Sequence, residues 1–391
     1  MEEFKKYKFG DIVNILDSKR IPLSATQREN RKGIYPYYGA QGIIDYIDDY
    51  IFDGTYLLIA EDGENLKSQK NNIAQIAIGK YWVNNHAHIV ESNGSCDIRY
   101  ICYLLNKIDI SGYITGSAQP KLNQANLQSI ELSLPSLTVQ KRIADYIDLF
   151  DSKISLNRRI NDNLEQQAQA LFKSWFVEKP NPQWTKGSLS DIASFVGGYS
   201  YKGDELVDSS NTGMATIKNY NRSGGFKTDG FKAINPSDKV KNAQYAELFE
   251  ILVAHTDLTQ NAEVIGNAEL VLSLGEYNKI IFSMDLVKVL PSSSFPYRFL
   301  IAAMLKNKLF KGHCQGYVNG TTVLHLNKKA LPEYKVMIPT DTEAKKMNEI
   351  LGGYYKRMSE NLKENDMLEQ LRDTILPKLM SGELKINDLN C

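Results

Sequence analysis

The chain has 391 residues, a formal net charge of zero and 24% charged residues, which is enough length for two or three domains with cores of their own. No apolar run approaches the roughly 20 residues of a membrane span and no secretory signal opens the chain, so we expect no membrane association and a cytoplasmic location. A net charge of zero does not exclude a nucleic-acid partner, because phosphate binding needs only local basic stripes.

The first predicted domain covers residues 1–137 and is rich in short strands. The apolar run 56–60 is typical of a buried strand, and turn signals flank it. Its charge is uneven, since residues 43–65 hold seven acids and no base. We therefore expect that acidic stretch to face away from any phosphate backbone. The basic residues gather upstream, against the single acid Glu29: Lys19, Arg20, Arg28, Arg31 and Lys32.

Residues 138–180 are predicted to form the first spacer helix. Apolar residues recur there with the 4-3 heptad spacing of a coiled-coil seam. Pro180 and Pro182 follow it and end the helix, because proline cannot continue the backbone hydrogen-bond ladder. The seam positions are Ile143, Ile147, Phe150, Ile154, Asn157, Asn161, Leu164, Ala168, Leu171 and Trp175.

The second predicted domain covers residues 181–340 and has the same plan. The apolar run 251–254 again indicates a buried strand. A second basic stretch lies at 217–241, where only Asp229 and Asp238 are acidic. Its basic residues are Lys218, Arg222, Lys227, Lys232, Lys239 and Lys241.

Residues 341–391 are predicted to form the second spacer helix and a tail. The helix carries the same heptad as the first one. With about 38 residues at about 1.5 Å each, either helix is a rod of about 57 Å. The seam positions are Met347, Leu351, Tyr354, Met358, Asn361, Asn365, Leu368, Arg372, Ile375 and Leu379.

The chain repeats itself. A shift of 204 residues places 112–116 on 316–320, and 157–166 on 361–370, without a gap. Such a tandem duplication favours pseudo-two-fold pairing, which makes the two helices antiparallel. The predicted fold class is therefore α+β, with two β-rich domains separated by two long antiparallel coiled-coil helices and an internal pseudo-two-fold repeat.

Four asparagines occupy seam positions where apolar residues are expected: Asn157, Asn161, Asn361 and Asn365. In an antiparallel helix pair related by a dyad, the residue numbers of every two residues that face each other add up to the same total. Asn157 then faces Asn365, and Asn161 faces Asn361. A buried seam asparagine fixes helix register at some cost in stability. We interpret the four as register residues; the alternative is that they face a partner subunit or solvent.

Several segments resemble the specificity subunit of type I restriction–modification systems. Residues 34–42 (IYPYYGAQG), 84–90 (NNHAHIV) and 116–122 (GSAQPKL) resemble a target recognition domain of that family. Residues 132–143 (LSLPSLTVQKRI) resemble the entry to its spacer helix. With the repeat counted, the resemblance covers nearly the whole chain. The second half departs from the pattern, because residues 320–326 (GTTVLHL) lack the glutamine of the first.

The resemblance implies a function. Each target recognition domain is expected to read one half of a split, asymmetric target in double-stranded DNA, and the helices to set the gap between the halves. It also implies that two methyltransferase subunits clasp the helices and that restriction (motor-nuclease) subunits can join them. No cofactor is then expected in this chain, since S-adenosylmethionine, ATP and Mg²⁺ belong to the partner subunits.

Residues that suit DNA contact are basic and amide side chains mixed with tyrosines in Gly-rich loops. Arginine and lysine can pair with guanine, and asparagine or glutamine with adenine, although most protein–DNA hydrogen bonds go to phosphate and sugar. Besides the five basic residues of 19–32, the candidate contacts are Asn85, His86, Gln119, Lys121, Lys218, Asn219, Tyr220, Arg222, Lys227 and Lys232.

Catalytic motifs are not found. The segment 181–184 (NPQW) lacks the second proline of a methyltransferase motif and is interpreted as a helix stop. No phosphate-binding GxxxxGK[ST] loop exists. Glu383-Leu384-Lys385 has the acid-x-lysine spacing of nucleases but no upstream partner acid. The chain is therefore predicted not to be an enzyme.

The cysteines indicate neither a disulfide framework nor a metal. Cys96, Cys102, Cys314 and Cys391 form no CxxC pair, so we expect them reduced and partly buried. His86 and His88 with Cys96 and Cys102 suggest zinc at first sight, but the cysteine spacing is wrong for a structural site. Polar strand residues near the DNA surface explain the histidines better, and no metal is expected.

A rival interpretation is a non-catalytic coiled-coil scaffold that joins other subunits without reading DNA. The low net charge fits a scaffold. The duplicated loops of tyrosine, lysine and asparagine do not.

Overall fold

The computed structural model describes residues 4–116, 119–222, 224–259 and 261–389. Ser117 and Ala118 of the GSAQPKL motif, and Cys391, lie outside the described residues. The chain forms two compact units. The first comprises residues 1–152 and 369–391, and the second comprises residues 153–368.

The first unit is built on a six-stranded sheet. The eight strands of this unit, six in that sheet and two in a separate pair, are Lys5–Lys8 (β1), Val13–Ile15 (β2), Lys32–Gly39 (β3), Gly42–Ile47 (β4), Phe52–Ala60 (β5), Ala74–Val83 (β6), Ala87–Ser92 (β7) and Glu131–Leu134 (β8). Its helices are Phe9–Ile12 (α1), Ala25–Glu29 (α2), Asn65–Ser68 (α3), Ile98–Leu105 (α4), Gln124–Ser129 (α5) and the start of Leu137–Phe172 (α6), with 3₁₀ turns at Asp17–Lys19, Ser111–Tyr113 and Ile386–Asp388. The sheet order is β2-β7-β5-β6-β3-β4, and β1 pairs with β8.

The second unit has shorter strands. They are Thr185–Ser188 (β9), Ala193–Gly197 (β10), Thr212–Ala215 (β11), Lys232–Ala233 (β12), Tyr245–Ala246 (β13), Ile251–Ala254 (β14), Thr256–Asp257 (β15), Ala268–Leu270 (β16), Lys279–Phe282 (β17), Leu286–Pro291 (β18), Val318–Asn319 (β19), Leu324–Leu326 (β20) and Lys335–Ile338 (β21). Its helices are Leu189–Ile192 (α7), Arg298–Leu305 (α8), Lys308–Gln315 (α9), Ala330–Glu333 (α10) and most of Asp341–Ser381 (α11), with 3₁₀ turns at Gly203–Glu205, Ile217–Asn219, Thr228–Gly230 and Asn242–Gln244.

The strand plan of the first unit recurs in the second. The order β2-β7-β5-β6 matches β10-β18-β14-β16, and all of these neighbours are antiparallel. The terminal pair β1–β8 matches β9–β21. The units differ beyond these strands: β3 and β4 extend the sheet of the first unit, with β3 parallel to β6, whereas β11 and β17 of the second unit pair in parallel within a separate four-stranded sheet, β12-β11-β17-β13. The four-strand order and the terminal pair therefore support the internal repeat in three dimensions.

The two long helices pack antiparallel in both units. In the first unit, Ile143 and Ile147 of α6 share a core with Leu376 and Leu379 of α11. In the second unit, Leu164 and Ala168 of α6 share a core with Leu351 and Met358 of α11. The described seam positions are buried or half-buried throughout. The α+β fold class with paired long helices is confirmed.

The first long helix ends differently from the prediction. Regular α-helix stops at Phe172, and a π-helical segment, Lys173–Glu178, completes it before Pro180. Aromatic rings explain the change of winding: Phe172 stacks on Phe176 with centroids 5.1 Å apart, and Phe176 packs on Trp184 at 4.8 Å. The wider turn keeps these rings on the domain side of the helix.

The cysteines described by the structure are buried and unpaired. Cys96, Cys102 and Cys314 form no disulfide, and burial raises the pKa of Cys102 and of Cys314 to about 12. Their thiols are therefore neutral and unreactive at ordinary pH. In the described part of the chain, no helix has the length and apolar character needed to cross a membrane.

Candidate nucleic-acid interface

Arg20 lies in a network of ion pairs rather than on an open surface. Its guanidinium is 2.8 Å from Glu61 and 3.4 Å from Asp17, and it also donates to the Ala87 carbonyl. The side chain is only 14% exposed. This corrects the expectation that Arg20 is free to meet phosphate: it holds three segments of the domain together. Lys19, one residue earlier, is exposed.

The hairpin loop that carries Gln119 and Lys121 lies against this network. Lys121 Nζ is 3.2 Å from Glu61, while the Lys121 and Gln119 side chains remain exposed. The turn depends on Gly116, whose φ is +82° and where a Cβ would meet the Gln119 carbonyl oxygen at 2.3 Å. Because a side chain at that position is excluded, glycine sets the shape of the loop.

Asn85 and His86 lie in the turn between β6 and β7, beside the same loop. His86 Nδ1 is 2.7 Å from Asp62 Oδ2, and the Asp62 backbone pairs with Lys121. Asp62 thus joins His86 to Lys121, and these two residues and their neighbours in the predicted set, Asn85 and Gln119, are all exposed. We call them the first-domain loop cluster.

His88 does not belong to that surface. The expectation that both histidines are polar strand residues near the DNA surface is wrong, because His86 lies in a turn and His88 is buried on β7. His88 Nδ1 is 2.6 Å from Asp17, and its Nε2 is 2.7 Å from the Leu122 carbonyl. Its two ring nitrogens therefore face a carboxylate oxygen and a carbonyl oxygen.

Asp17, Glu61 and His88 offer ligand atoms within 4.8 Å of one another. Burial alone raises the pKa of Asp17, but the hydrogen bond and charge of His88 outweigh it and hold that pKa below its ordinary value. Burial likewise acts against the charge of Glu61, and Arg20 and Lys121 help to hold its pKa low. The positive charges of Arg20 and Lys121 therefore already lie against the carboxylates of this cluster.

The other basic candidates of residues 19–32, apart from the exposed Lys19, are paired with acids from β4 and its exit. Arg28 and Lys32 contact Asp45 at 3.3 and 2.7 Å, and Arg31 contacts Asp48 at 2.9 Å. This corrects the expectation for residues 43–65, because part of that acidic stretch neutralises the basic segment. The β3–β4 hairpin brings the two segments face to face, which linear charge counting cannot detect.

In the second domain the hairpin 219–227, of which the structure describes residues 219–222 and 224–227, has a buried frame. Asn219 is fully buried, accepts from the Thr216 N–H at 2.8 Å and donates to the Lys227 carbonyl at 2.7 Å. The Tyr220 side chain is buried as well and pairs edge-to-face with Phe226. The prediction that Asn219 and Tyr220 contact DNA with their side chains is therefore wrong: they shape the loop.

The exposed part of this hairpin carries the charge. Lys218 is exposed, and Arg222 at the tip is 72% exposed and forms an ion pair with Glu263 at 3.1 Å. Lys227 and Lys232 are half-buried at its base. Lys218 and Arg222 are the members of the predicted set that this domain presents most openly.

Sequence reasoning missed His325. The Leu326 N–H donates to His255 O at 2.8 Å, as Leu122 donates to Glu61 O at 2.8 Å, so the exposed His325 occupies the position of Lys121. Gly320 has a φ of +113°, and a Cβ at this position would lie only 2.2 Å from Val323 O. The turn at Gly116 is therefore repeated here. The 204-residue shift already aligns position 121 with position 325. The internal repeat could therefore have identified His325 as a candidate DNA contact.

The four seam asparagines meet in the second unit. Asn157 donates to Asn365 at 2.9 Å, and Asn361 donates to Asn161 at 2.8 Å, which is the pairing that the constant sum predicts. Asn157 also donates to Glu364 at 2.8 Å, and this bond, with help from Lys153, holds the pKa of Glu364 below its ordinary value. All four amides are buried.

Comparison with known proteins identifies the family. A model of the type I restriction modification DNA specificity domain matches residues 1–166 and again residues 181–370. The chain belongs to this family. Two matches in tandem also agree with the duplicated strand plan.

Relatives of this specificity subunit align over its whole length. The MjaIX specificity subunit of Methanocaldococcus jannaschii is 23% identical over 99% of this chain and 98% of the relative, and the MjaVIII specificity subunit of that organism is 21% identical over 100% and 95%. A Haemophilus influenzae protein is 36% identical over 138 residues, so this chain spans about a third, 35%, of that relative's length. The crystal structure of the type I S subunit from M. genitalium, 16% identical, covers 97% of this chain and 96% of that one with a TM-score of 0.59, which shows a shared fold.

Membership settles the class of protein. A specificity subunit is the non-catalytic, DNA-recognising member of a type I restriction–modification system. The prediction of a DNA-binding subunit that is not an enzyme is thereby confirmed, and the scaffold without DNA readout is not favoured.

Proposed function

We propose that this specificity subunit reads a split DNA target, one half with each recognition domain. The first half-site is read by residues 1–137 and the second by residues 181–340, while residues 138–180 and 341–391 act as spacer helices. The observation that carries the proposal is the duplicated loop, which presents exposed Lys121 in one domain and exposed His325 in the other. Because the two loops differ in sequence, the two halves of the target differ as well.

Base and phosphate contacts come from exposed donors around these loops. In the first domain the loop cluster offers two amides, an imidazole and a lysine, a set that can pair with adenine and guanine edges. Lys19, Arg28, Arg31 and Lys32 supply phosphate contacts, and phosphate replaces the aspartate partners of Arg28, Arg31 and Lys32. In the second domain Lys218, Arg222, His325, Lys227 and Lys232 fill the corresponding roles.

The helices dock the methyltransferase subunits. Leu156 of α6 is 47% exposed and Met367 of α11 is 55% exposed. Large apolar side chains on an otherwise charged helix surface are typical of an interface. Two methyltransferase subunits bind in this way, one for each copy of the repeat, and restriction subunits join them. S-adenosylmethionine, ATP and Mg²⁺ enter with these partners.

The asparagine pairs set the register of the helices and, through it, the gap between the half-sites. A one-turn slip of either helix would bury an amide against an apolar side chain, which costs free energy because its hydrogen bonds are lost. The register is therefore specified at the pairs Asn157–Asn365 and Asn161–Asn361.

A domain exchange tests the proposal. Residues 1–137 are replaced by those of a relative, the chimera is expressed with its methyltransferase partner, and methylated sites are mapped by sequencing. One half of the methylated word is expected to change while the other half and the gap stay the same. A change in both halves, or in neither, would overturn the assignment of one reader to each domain.

A further inference from the structure

Lys306 is a buried cation at the end of α8. Its Nζ is within ion-pair contact of Glu269 and 3.2 Å from Glu165 of α6. The lysine side chain is 7% exposed and Glu269 is 6% exposed. Burial alone would lower the pKa of Lys306, but the two carboxylates outweigh it and raise that pKa. The lysine is therefore charged, and both carboxylates depend on it for neutralisation.

The second oxygen of Glu269 reaches the recognition hairpin. Glu269 Oε1 accepts a hydrogen bond of 2.6 Å from the Gly225 N–H. Gly224 and Gly225 have φ values of +97° and +100°, so their amides point in a direction that other residues rarely allow. One continuous path of contacts thus runs from α6 through Glu165, Lys306 and Glu269 into the hairpin 219–227.

A neighbouring tie holds the other side of the hairpin. Asn267 Nδ2 donates to the Asn221 carbonyl at 3.1 Å. Asn267 Oδ1 in turn accepts from Lys311 Nζ at 2.8 Å. The backbone on both sides of Arg222 is therefore fastened to residues at or next to β16, while the Arg222 side chain stays exposed.

In the first domain the residue that follows the corresponding helix is neutral. Its helix α4 has eight residues, like α8, and is followed by Asn106 where α8 is followed by Lys306. Asn106 Oδ1 accepts from the Ile73 and Ala74 N–H groups at 2.8 and 2.9 Å, at the start of β6. Because a neutral amide suffices there, the repeat does not require a buried lysine. Burying charges is costly unless each is paired, so the second domain retains Lys306 for something besides folding.

We propose that Lys306 is a positioning residue for recognition of the second half-site: with Glu269 it holds the hairpin 219–227 at a fixed place relative to α6. The inference rests on the proposed function, in which Lys218 and Arg222 of that hairpin contact DNA. Hydrogen bonds to base edges tolerate little displacement. Loss of the lysine leaves two carboxylates facing each other, and their repulsion moves the hairpin.

The test uses Lys306→Met and the milder Glu269→Gln in the full chain, co-expressed with the methyltransferase partner, with methylated sites mapped by sequencing. Glu269→Gln keeps an acceptor for Gly225 but removes the charge that Lys306 neutralises. Both variants are expected to relax base preference in the second half-site by about tenfold at one or more positions. The first half-site and the gap are expected to stay sharp.

Lys288→Met is the matched control. Lys288 is also buried in the second unit and pairs with Glu250 at 2.9 Å, but its contacts among the described residues do not reach the hairpin. The Lys288→Met variant is expected to lower thermal stability without changing the base preference at any position of the methylated sequence. If Lys306→Met fails to fold, Glu269→Gln decides the matter. A sharp second half-site in the Lys306 and Glu269 variants, or equal blurring by Lys288→Met, would overturn the inference.

Arg222→Ala separates this inference from the proposed function. If Arg222→Ala alters the second half-site and the Lys306 variants do not, the positioning role alone fails. If Arg222→Ala and Lys218→Ala both leave the word unchanged, the hairpin does not read DNA, and the proposed function of the hairpin fails together with the inference.

Discussion

Asn157 hydrogen-bonds to Asn365 across two antiparallel helices, with the amide nitrogen of the first 2.9 Å from the carbonyl oxygen of the second. The neighbouring Asn361–Asn161 bond runs in the opposite sense. In the described part of the chain, Asn157 Oδ1 and Asn361 Oδ1 are buried without a hydrogen-bond partner. The pairs therefore destabilise the helix contact relative to an apolar seam while specifying its alignment.

Replacing all four seam asparagines by leucine is expected to raise stability by about 2 kcal/mol or more and to blur the gap length of methylated sites. Thermal unfolding and methylated-site mapping measure the two effects. The exposed Asn163 of α6 is the control, and Asn163→Leu should change neither beyond about 0.5 kcal/mol. Lower stability with a sharp gap would show that these residues do not specify register.

The two turn glycines allow a matched pair of variants. Gly116→Ala places a Cβ 2.3 Å from Gln119 O, and Gly320→Ala places one 2.2 Å from Val323 O, both at positive φ. Each is expected to cost about 1–3 kcal/mol locally and to weaken recognition of its own half-site. Gly112→Ala is the control, because nothing lies within 4 Å of a Cβ there. An effect of either turn variant on the opposite half-site would argue against independent readers.

Acid should destabilise the first unit through Asp17. Its pKa lies below the ordinary 3.8, because the hydrogen bond and charge of His88 outweigh the effect of burial. A carboxyl with a lowered folded pKa contributes stability that is complete above its unfolded pKa and is lost as pH falls through the folded pKa. The loss is therefore expected below about pH 4.

Urea unfolding from pH 7 to pH 3, followed through the fluorescence of buried Trp82 in a Trp175→Phe/Trp184→Phe background, measures this loss. Asp17→Asn should be less stable at pH 7 and should have a flatter acid limb. The same acid slope in both proteins would show that Asp17 does not carry the dependence.

DNA affinity should fall linearly on logarithmic axes as salt rises, because binding releases counterions from phosphate. Lys121→Gln is expected to lower the slope by about one if the lysine contacts phosphate. If it contacts a base, the slope stays and the first half-site relaxes. His325→Gln is expected to relax base preference in the second half-site. A wild-type protein without any salt slope would be a scaffold and not a DNA reader.

The repeat is what made the fold predictable from the sequence. A gapless shift predicted two copies of one strand plan, the antiparallel helices and the facing of Asn157 with Asn365, since duplication and heptad spacing are one-dimensional signals. Charge pairing is not such a signal. Arg31 and Asp48 meet only because β3 and β4 form a hairpin.

Burial of polar residues was the other part that the sequence could not supply. Asn219 looks like a DNA-reading amide in a Gly-rich loop, yet it is fully buried and bonds to backbone on both sides of the loop. The carbonyl and NH₂ groups of asparagine form hydrogen bonds equally well in turns and with base edges. Only the three-dimensional position distinguishes the roles, as it also does for His86 and His88.

Docking of the methyltransferase subunits is the remaining prediction. Leu156 and Met367 expose large apolar surfaces on α6 and α11, and burial of each against a partner contributes about 1.5–3 kcal/mol. Leu156→Glu and Met367→Glu would bring an unpaired charge into that contact. Each is expected to weaken association by at least about tenfold, measured by titrating purified methyltransferase subunit against the full chain. Leu309→Glu is the control, because Leu309 is 59% exposed but lies on α9 and not on a long helix. Unchanged association in both helix variants, or an equal loss in the control, would place the docking surface elsewhere on the molecule.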